Sequence, residues 1–332
     1  MHWEIGSEFW DIPVSEERND LFPNYTQWYL SGRSALQAII KELQNLHTVA
    51  MPSWCCDSMV KPFIDAGFDV RFYPVFWRDK LIQEMGLDCE VLFIMDYFGY
   101  TTTSETLSGY KGIVIRDVTH SIFSSKYSDA DYYFGSLRKW CGIWTGGYAW
   151  ANDKHRLTEG KKDEKGYFNV RRKAMQQKLE YLEGRRINKD YLTSFAAAEE
   201  ALENEGIVQA AVRDVNSAYF LDIQGIVSRR RTNAEVLRTA FSKWLIFPEM
   251  LSSDCPMFVP ILVPDKKRDS LQSFLIQRNI YCPIHWPVSK YHELEGRTGA
   301  IYENELSLVC DQRYVEKDMD CIVDIVNDFM ER

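Results

Sequence analysis

The stretch Ile113–Trp150, IVIRDVTHSIFSSKYSDADYYFGSLRKWCGIWTGGYAW, limits the folds open to this chain more than any other. An apolar strand, Ile113–Ile115, ends on an acid, Asp117. A second, Tyr132–Phe134, runs into Ser136-Leu-Arg-Lys139 and then a Gly146-Gly147 pair. Short apolar runs that stop at polar residues are the mark of strands buried on both faces of a parallel sheet. The series extends upstream through Val49–Pro52, Val70–Val75 and the unbroken run Glu90–Tyr97, and Gly147–Ala151 reads as a returning strand. Between the first two, Ser58–Ala66 reads as a helix interrupted early by Pro62 and closed by Gly67 as its C-cap. Strands alternating with helices at this spacing predict an α/β sheet with right-handed crossovers. Ligands bind at the carboxyl ends of such strands, where Asp96, Asp117 and Ser136–Lys139 all fall.

Around this centre the chain divides by pattern. Residues 6–23 are aromatic and irregular, an arm rather than a core segment. A helix opens at Ser31-Gly32-Arg33-Ser34 with Leu36, Ile39, Ile40 and Leu43 at helical spacing. Its first turn offers free N–H groups and the positive end of the helix dipole to a phosphate, although a serine there is commonly only an N-cap. Lys154–Lys165 reads as a charged surface loop, and Asn169–Phe241 as mostly helical. Thr232-Asn233 falls in the last of those helices, expected to connect two domains. Beyond Pro248 come a strand (Met257–Val263), a helix (Arg268–Arg278), two strands (Ile280–Ile284, Glu305–Val309) and a helix (Val315–Met330), an α+β unit.

Composition removes several function classes. The net charge is −9, and the longest basic run is Arg229–Arg231, so nucleic acid is not the expected partner. That triplet reads as a solvated helix face. The N-terminus has no basic segment followed by an apolar one, so no signal peptide is expected, and no apolar run approaches the roughly 20 residues of a membrane span. Eight scattered cysteines without a C-x-x-C pair read as reduced thiols of a cytoplasmic protein. Cys282-x-x-His285 lacks a second pair of matching spacing, so no metal is expected.

Lys139 alone reads as a surface lysine and Asp117 alone as a helix cap. Together, with Ser136 and Gly32-Arg33-Ser34, they supply what pyridoxal phosphate (PLP) chemistry needs: an amine to condense with the aldehyde, a carboxylate to keep the pyridine nitrogen protonated, and groups for the phosphate. In this order the residues resemble the PLP-dependent aminotransferases of fold type I, and most closely the DegT/DnrJ/EryC1/StrS group, which aminates nucleotide-linked keto sugars. Further segments carry the likeness: Ile5-Gly-Ser-Glu-Phe, Met51-Pro-Ser-Trp-Cys-Cys-Asp-Ser, Gly67-Phe-Asp-Val-Arg-Phe, Val114-Ile-Arg-Asp117-Val-Thr-His120, and Ile280-Tyr-Cys-Pro-Ile-His-Trp-Pro with Leu306-Ser-Leu.

The resemblance implies a large domain (26–230) with a mostly parallel seven-stranded sheet flanked by helices, and a small α+β C-terminal domain (231–332). The arm (1–25) would pack with the small domain or a partner subunit. Lys139 would carry the cofactor and move the proton during transamination, with Asp117 on the pyridine nitrogen and His120 beside the ring. Gly32, Arg33, Ser34 and Ser136 would take the phosphate. The residue stacking on the ring falls at Cys56 by count and at Trp54 by chemistry, and His285 and Arg313 are candidates for the substrate. The implied partners are an amino donor such as glutamate, a keto acceptor, and a second copy in a cytoplasmic homodimer with shared active sites. The chain departs from the group at Asp96, where a histidine is usual, and around Arg186-Ile-Asn188. Two rival readings stay open: another PLP-dependent reaction on this fold, of lyase type, and a non-catalytic relative.

Overall fold

The computed structural model describes residues 3–85, 88–102, 107, 109–124, 130–152, 155–202, 205–292 and 296–332. Lys154, which opens the expected charged loop, and the first two residues of the arm lie outside them. Seven strands form one sheet in the order β2 (Gln27–Tyr29), β10 (Gly147–Ala151), β9 (Tyr132–Ser136), β8 (Ile113–Asp117), β7 (Val91–Met95), β3 (Thr48–Pro52) and β4 (Asp69–Tyr73). β8, β7, β3 and β4 run parallel, while β10 is antiparallel to β9 and β2. β7 and β10 are buried at all five positions, which is why their sequences are apolar throughout instead of alternating. The chain is therefore an α/β protein with a mostly parallel seven-stranded sheet flanked by helices, as the strand pattern predicts.

Packing divides the chain into two compact units. One holds Glu8–Gln44 and Asp131–Ile223. It contains β2, β9, β10, α1 (Gly32–Glu42) and three further helices, α3 (Tyr167–Leu182), α4 (Tyr191–Ala201) and α5 (Val212–Tyr219). Leu30, Tyr167, Ala198, Leu202 and Val208 make one of its cores, and Ala174, Met175, Tyr181, Tyr191 and Phe195 another. The other unit holds Glu4–Ser7, Asn45–Ala130 and Gln224–Arg332. Its α2 (Asp57–Asp65) ends as the sequence predicts: Gly67 adopts φ +85°, and the N–H groups of Gly67 and Phe68 bond to the carbonyls of Ile64 and Phe63.

The C-terminal part of this second unit follows the expected α+β order. β11 (Val259–Leu262) pairs antiparallel with β13 (Glu305–Leu308), and α7 (Arg268–Ile276) and α9 (Glu316–Met330) contribute Leu271, Leu275, Ile322 and Val326 to their core. β1 (Ile5–Gly6) pairs in parallel with β12 (Ile280–Tyr281), which places Ile5 in that same core. Three details differ from the sequence reading. The run Val70–Val75 breaks at Pro74, and a hairpin of β5 (Val75–Trp77) and β6 (Leu81–Gln83) follows. α8 (Gly296–Asn304) forms in spite of two glycines, which weakened its signal. The basic triplet in α6 (Ile223–Ala240) faces solvent at Arg229 only: Arg230 is buried, its guanidinium bonded to Gln312 and to the carbonyls of Pro256 and Met257, and Arg231 bonds to the carbonyls of Leu251 and Asp254. Irregular backbone at 251–257 needs donors, and helical arginines supply them.

Among the described residues no helix is long and apolar enough to cross a membrane, and no group of three or more His, Cys, Asp or Glu is placed to hold a metal ion.

Candidate functional site

In the first unit the start of α1 meets the end of β9. Ser31 caps the helix in extended conformation, its Oγ accepting the Ser34 N–H at 3.1 Å. A Cβ at Gly32 would lie 3.3 Å from the Ser136 Cβ, so the helix N-terminus and the Ser-x-x-Lys turn are brought together. The Gly146-Gly147 pair makes this approach possible. Gly146 has φ +117°, and a Cβ at Gly147 would lie 2.0 Å from the Ser31 carbonyl oxygen. Arg33 is half-buried, and its buried Nη1 has no hydrogen-bond partner among the described residues. Ser34 is committed elsewhere: its hydroxyl donates to the Gly206 carbonyl at 2.7 Å and accepts the Val208 N–H at 2.8 Å.

Leu137–Lys139 forms one 3-10 turn, with Leu137 buried and its N–H bonded to the Gly146 carbonyl at 2.9 Å. The Lys139 side chain is exposed. Next to it, Arg138 pairs with Glu199, which also receives Arg171 Nη1 at 3.0 Å; Arg171 Nη2 reaches Glu8 at 3.0 Å. Burial pushes the Glu199 carboxyl up, but the charges of Arg138, Arg171 and Lys139 outweigh it and hold the pKa below the usual carboxylate value.

In the second unit, Asp117 is buried at the carboxyl end of β8, its Oδ1 accepting the Thr119 N–H at 2.8 Å. One position earlier on each strand, β7 and β8 are in register through Ile94 and Arg116. Arg116 pairs with Asp96 at 2.6 Å, and Ser121 donates to the same carboxylate at 2.5 Å. Asp96 thus holds a buried guanidinium, and its sequence signal was an acid placed just after a wholly apolar strand. His120 is buried, with the Phe98 N–H 3.4 Å from its Nδ1 and its ring stacked on Trp286 at 5.8 Å.

The two candidates for the ring-stacking position differ sharply. Trp54 is buried, stacks on Tyr97 at 4.9 Å, meets Trp286 edge-on at 5.5 Å, and donates Nε1–H to the His285 carbonyl at 2.6 Å. Cys56 is half-buried and caps α2, its Sγ accepting the Ser58 N–H at 3.4 Å. The Arg313 guanidinium forks onto Asp311 (2.8 and 2.7 Å) and reaches the Ser7 carbonyl. Burial opposes the Asp311 charge, but Arg313 holds that carboxyl below its usual range. His285 is buried, its Nδ1 2.8 Å from Ser307 Oγ and its backbone N–H donating to Glu305 at 2.6 Å. Ser307 Oγ in turn lies 2.6 Å from Glu305 Oε1. Sequence reasoning passed over Glu305; burial pushes its carboxyl up to about 8.

No family model and no curated protein matches the chain. Solved structures do. PseC of Helicobacter pylori, an aminotransferase of pseudoaminic acid biosynthesis, is 13% identical, with 98% of this chain and 100% of that one covered and a TM-score of 0.65. A DegT DnrJ EryC1 StrS aminotransferase from Brucella abortus is 14% identical over 92% and 85% of the two chains, with a TM-score of 0.60. NtdA of Bacillus subtilis, solved with the cofactor PMP, is 12% identical over 94% and 74%, with a TM-score of 0.62. At such identities the likeness is one of architecture: the chain has the type I fold that these aminotransferases share.

Proposed function

We propose that the chain is a PLP-dependent aminotransferase. It moves an amino group from an amino acid, glutamate in the favoured reading, to a keto group, that of a nucleotide-linked sugar destined for surface polysaccharide or a related product. It acts in the cytoplasm as a homodimer. The observation that carries this reading is the close approach of Gly32 to Ser136, three residues before Lys139. It gathers a helix N-terminus, a hydroxyl and an amine in one small region of the first unit. The residues there fit the cofactor: Gly147 lets the start of α1 close against β10 and Gly32 lets it approach Ser136, and Arg33 keeps a buried Nη1 unspent. The aminotransferase activity of PseC supports the reaction, and the PMP of NtdA supports the cofactor.

Bound PLP supplies an electron sink for the carbon that gains or loses the amine. The rest is the work of this chain's own residues. Gly32 and Arg33 N–H groups, the Arg33 guanidinium and the Ser136 hydroxyl bind the phosphate, while Ser34 anchors the turn through residues 206–208. The Lys139 amine holds the cofactor and takes and returns the proton at the reacting carbon. Asp117 keeps the pyridine nitrogen protonated. The ring-facing role falls to Trp54 and His120 in this reading, their rings resting on Tyr97 and Trp286, and Cys56 shapes the start of α2. His285 serves the acceptor, whereas Arg313 stays with Asp311. The exposure of Lys139 in one chain supports a dimer, since a second copy would exclude water from it.

The test is the visible absorption of the purified protein with PLP, beside Lys139→Ala. A band that borohydride abolishes, that is missing in the variant and that glutamate bleaches is the expected result. If wild type and variant both stay colourless at saturating PLP, the reading fails.

A further inference from the structure

Three buried groups in the second unit form a chain of hydrogen bonds that a single proton can reverse. Glu305 and Ser307 are fully buried and His285 nearly so. Glu305 lies 2.6 Å from Ser307 Oγ, which lies 2.8 Å from His285 Nδ1. The other Glu305 oxygen accepts the backbone N–H of His285 at 2.6 Å, which fixes the carboxyl in place. A serine hydroxyl has one proton to give, so the chain must point one way or the other.

With Glu305 protonated, its O–H donates to Ser307, Ser307 donates to Nδ1, and the neutral ring carries its proton on Nε2. With Glu305 ionised, Ser307 donates to the carboxylate, Nδ1–H donates to Ser307, and Nε2 holds a lone pair. Between the two states each proton moves one place toward the ring and the Nε2 proton passes to hydroxide or buffer in solution. We propose that Glu305 and Ser307 are positioning residues that set which nitrogen of His285 is protonated, making Nε2 the far end of a three-group proton relay.

The surroundings leave the switch to Glu305. Arg268 of α7 donates to the Glu305 backbone carbonyl at 3.1 Å and draws its carboxyl slightly down. The Cys282 thiol is pushed up to about 12 and stays neutral. The His120 ring lies 6.0 Å from that of His285. Burial dominates, and brings the Glu305 carboxyl to about 8, within reach of physiological pH. The relay stands on its own geometry; its use in exchanging a proton with a keto acceptor rests on the aminotransferase reading.

The test follows the ring nitrogens of His285 by long-range proton–nitrogen NMR on the full chain labelled at histidine, the signal being assigned by its loss in His285→Gln. In the wild type, Nε2 should change from protonated to unprotonated with a midpoint near 8. In Glu305→Gln the amide donates to Ser307 at every pH, so Nε2 should stay protonated. Ser307→Ala should uncouple the ring and remove the transition. An unchanged tautomer in the wild type from pH 6 to 10, or the same transition in Glu305→Gln or Ser307→Ala, would overturn the relay. None of these outcomes depends on PLP, whose binding at Lys139 is read separately by absorbance.

Discussion

At the scale of the residue, ionisable groups in the second unit are buried for opposite reasons. Asp96 is buried because Arg116 and Ser121 satisfy it, and removing it strands a guanidinium. Asp96→Ala should cost about 3–5 kcal/mol in urea unfolding. Glu305 is buried with hydrogen bonds but, among the described residues, no ion-pair partner, and burial raises its folded pKa. An acid with a raised pKa binds its proton more tightly in the folded state. Its contribution is therefore complete below about 4.5 and is lost as pH rises through about 8. Wild type should lose stability relative to Glu305→Gln across that window, by about 1.4 kcal/mol per pH unit at most. Parallel curves for the two proteins would contradict the shift. Little of this was legible in the sequence. Glu305 opens a segment that reads as an ordinary strand, and only the fold reveals that it faces inward beside Ser307.

Elements were easier to read where one period dominated. β7 and β8 are runs of five residues opening on β-branched and apolar side chains, too short for helices, and the terminal Asp117 marks where β8 leaves the sheet. The start of α1 was legible because Ser-Gly-Arg-Ser reads as a helix cap, which Ser31 is. What the sequence hid was the reason for Gly146-Gly147, since the constraint comes from Ser31, more than a hundred residues away. Gly147→Ala forces the α1 turn off β10, and the affinity for PLP should fall at least about tenfold, or ~1.4 kcal/mol, in a fluorescence titration. An unchanged affinity would separate the glycine pair from the cofactor. Arg229–Arg231 was misread in part because charge runs commonly face water, whereas here the irregular backbone after Pro248 draws Arg230 and Arg231 inward.

For the whole molecule, sheet and α+β segment followed from alternation and order, but the division into units did not. Each unit gathers segments remote in sequence, and no change in composition marks the seams. Sedimentation of the purified protein at micromolar concentration should give twice the 38.9 kDa of one chain. A monomer mass would remove the shared-site reading while leaving the fold intact.

The parallel pairing of β1 with β12 has a consequence for the order of events during synthesis. Ile5 leaves the ribosome long before its strand partner, Ile280, and Gly6 bonds to the Tyr314 hydroxyl across 308 positions. This strand must therefore wait, without its β12 partner, until residue 280 has emerged. Closure of this core is a late, long-range step of the kind that slows folding. A chain truncated before β12 would leave the ribosome with Ile5 still without its strand partner.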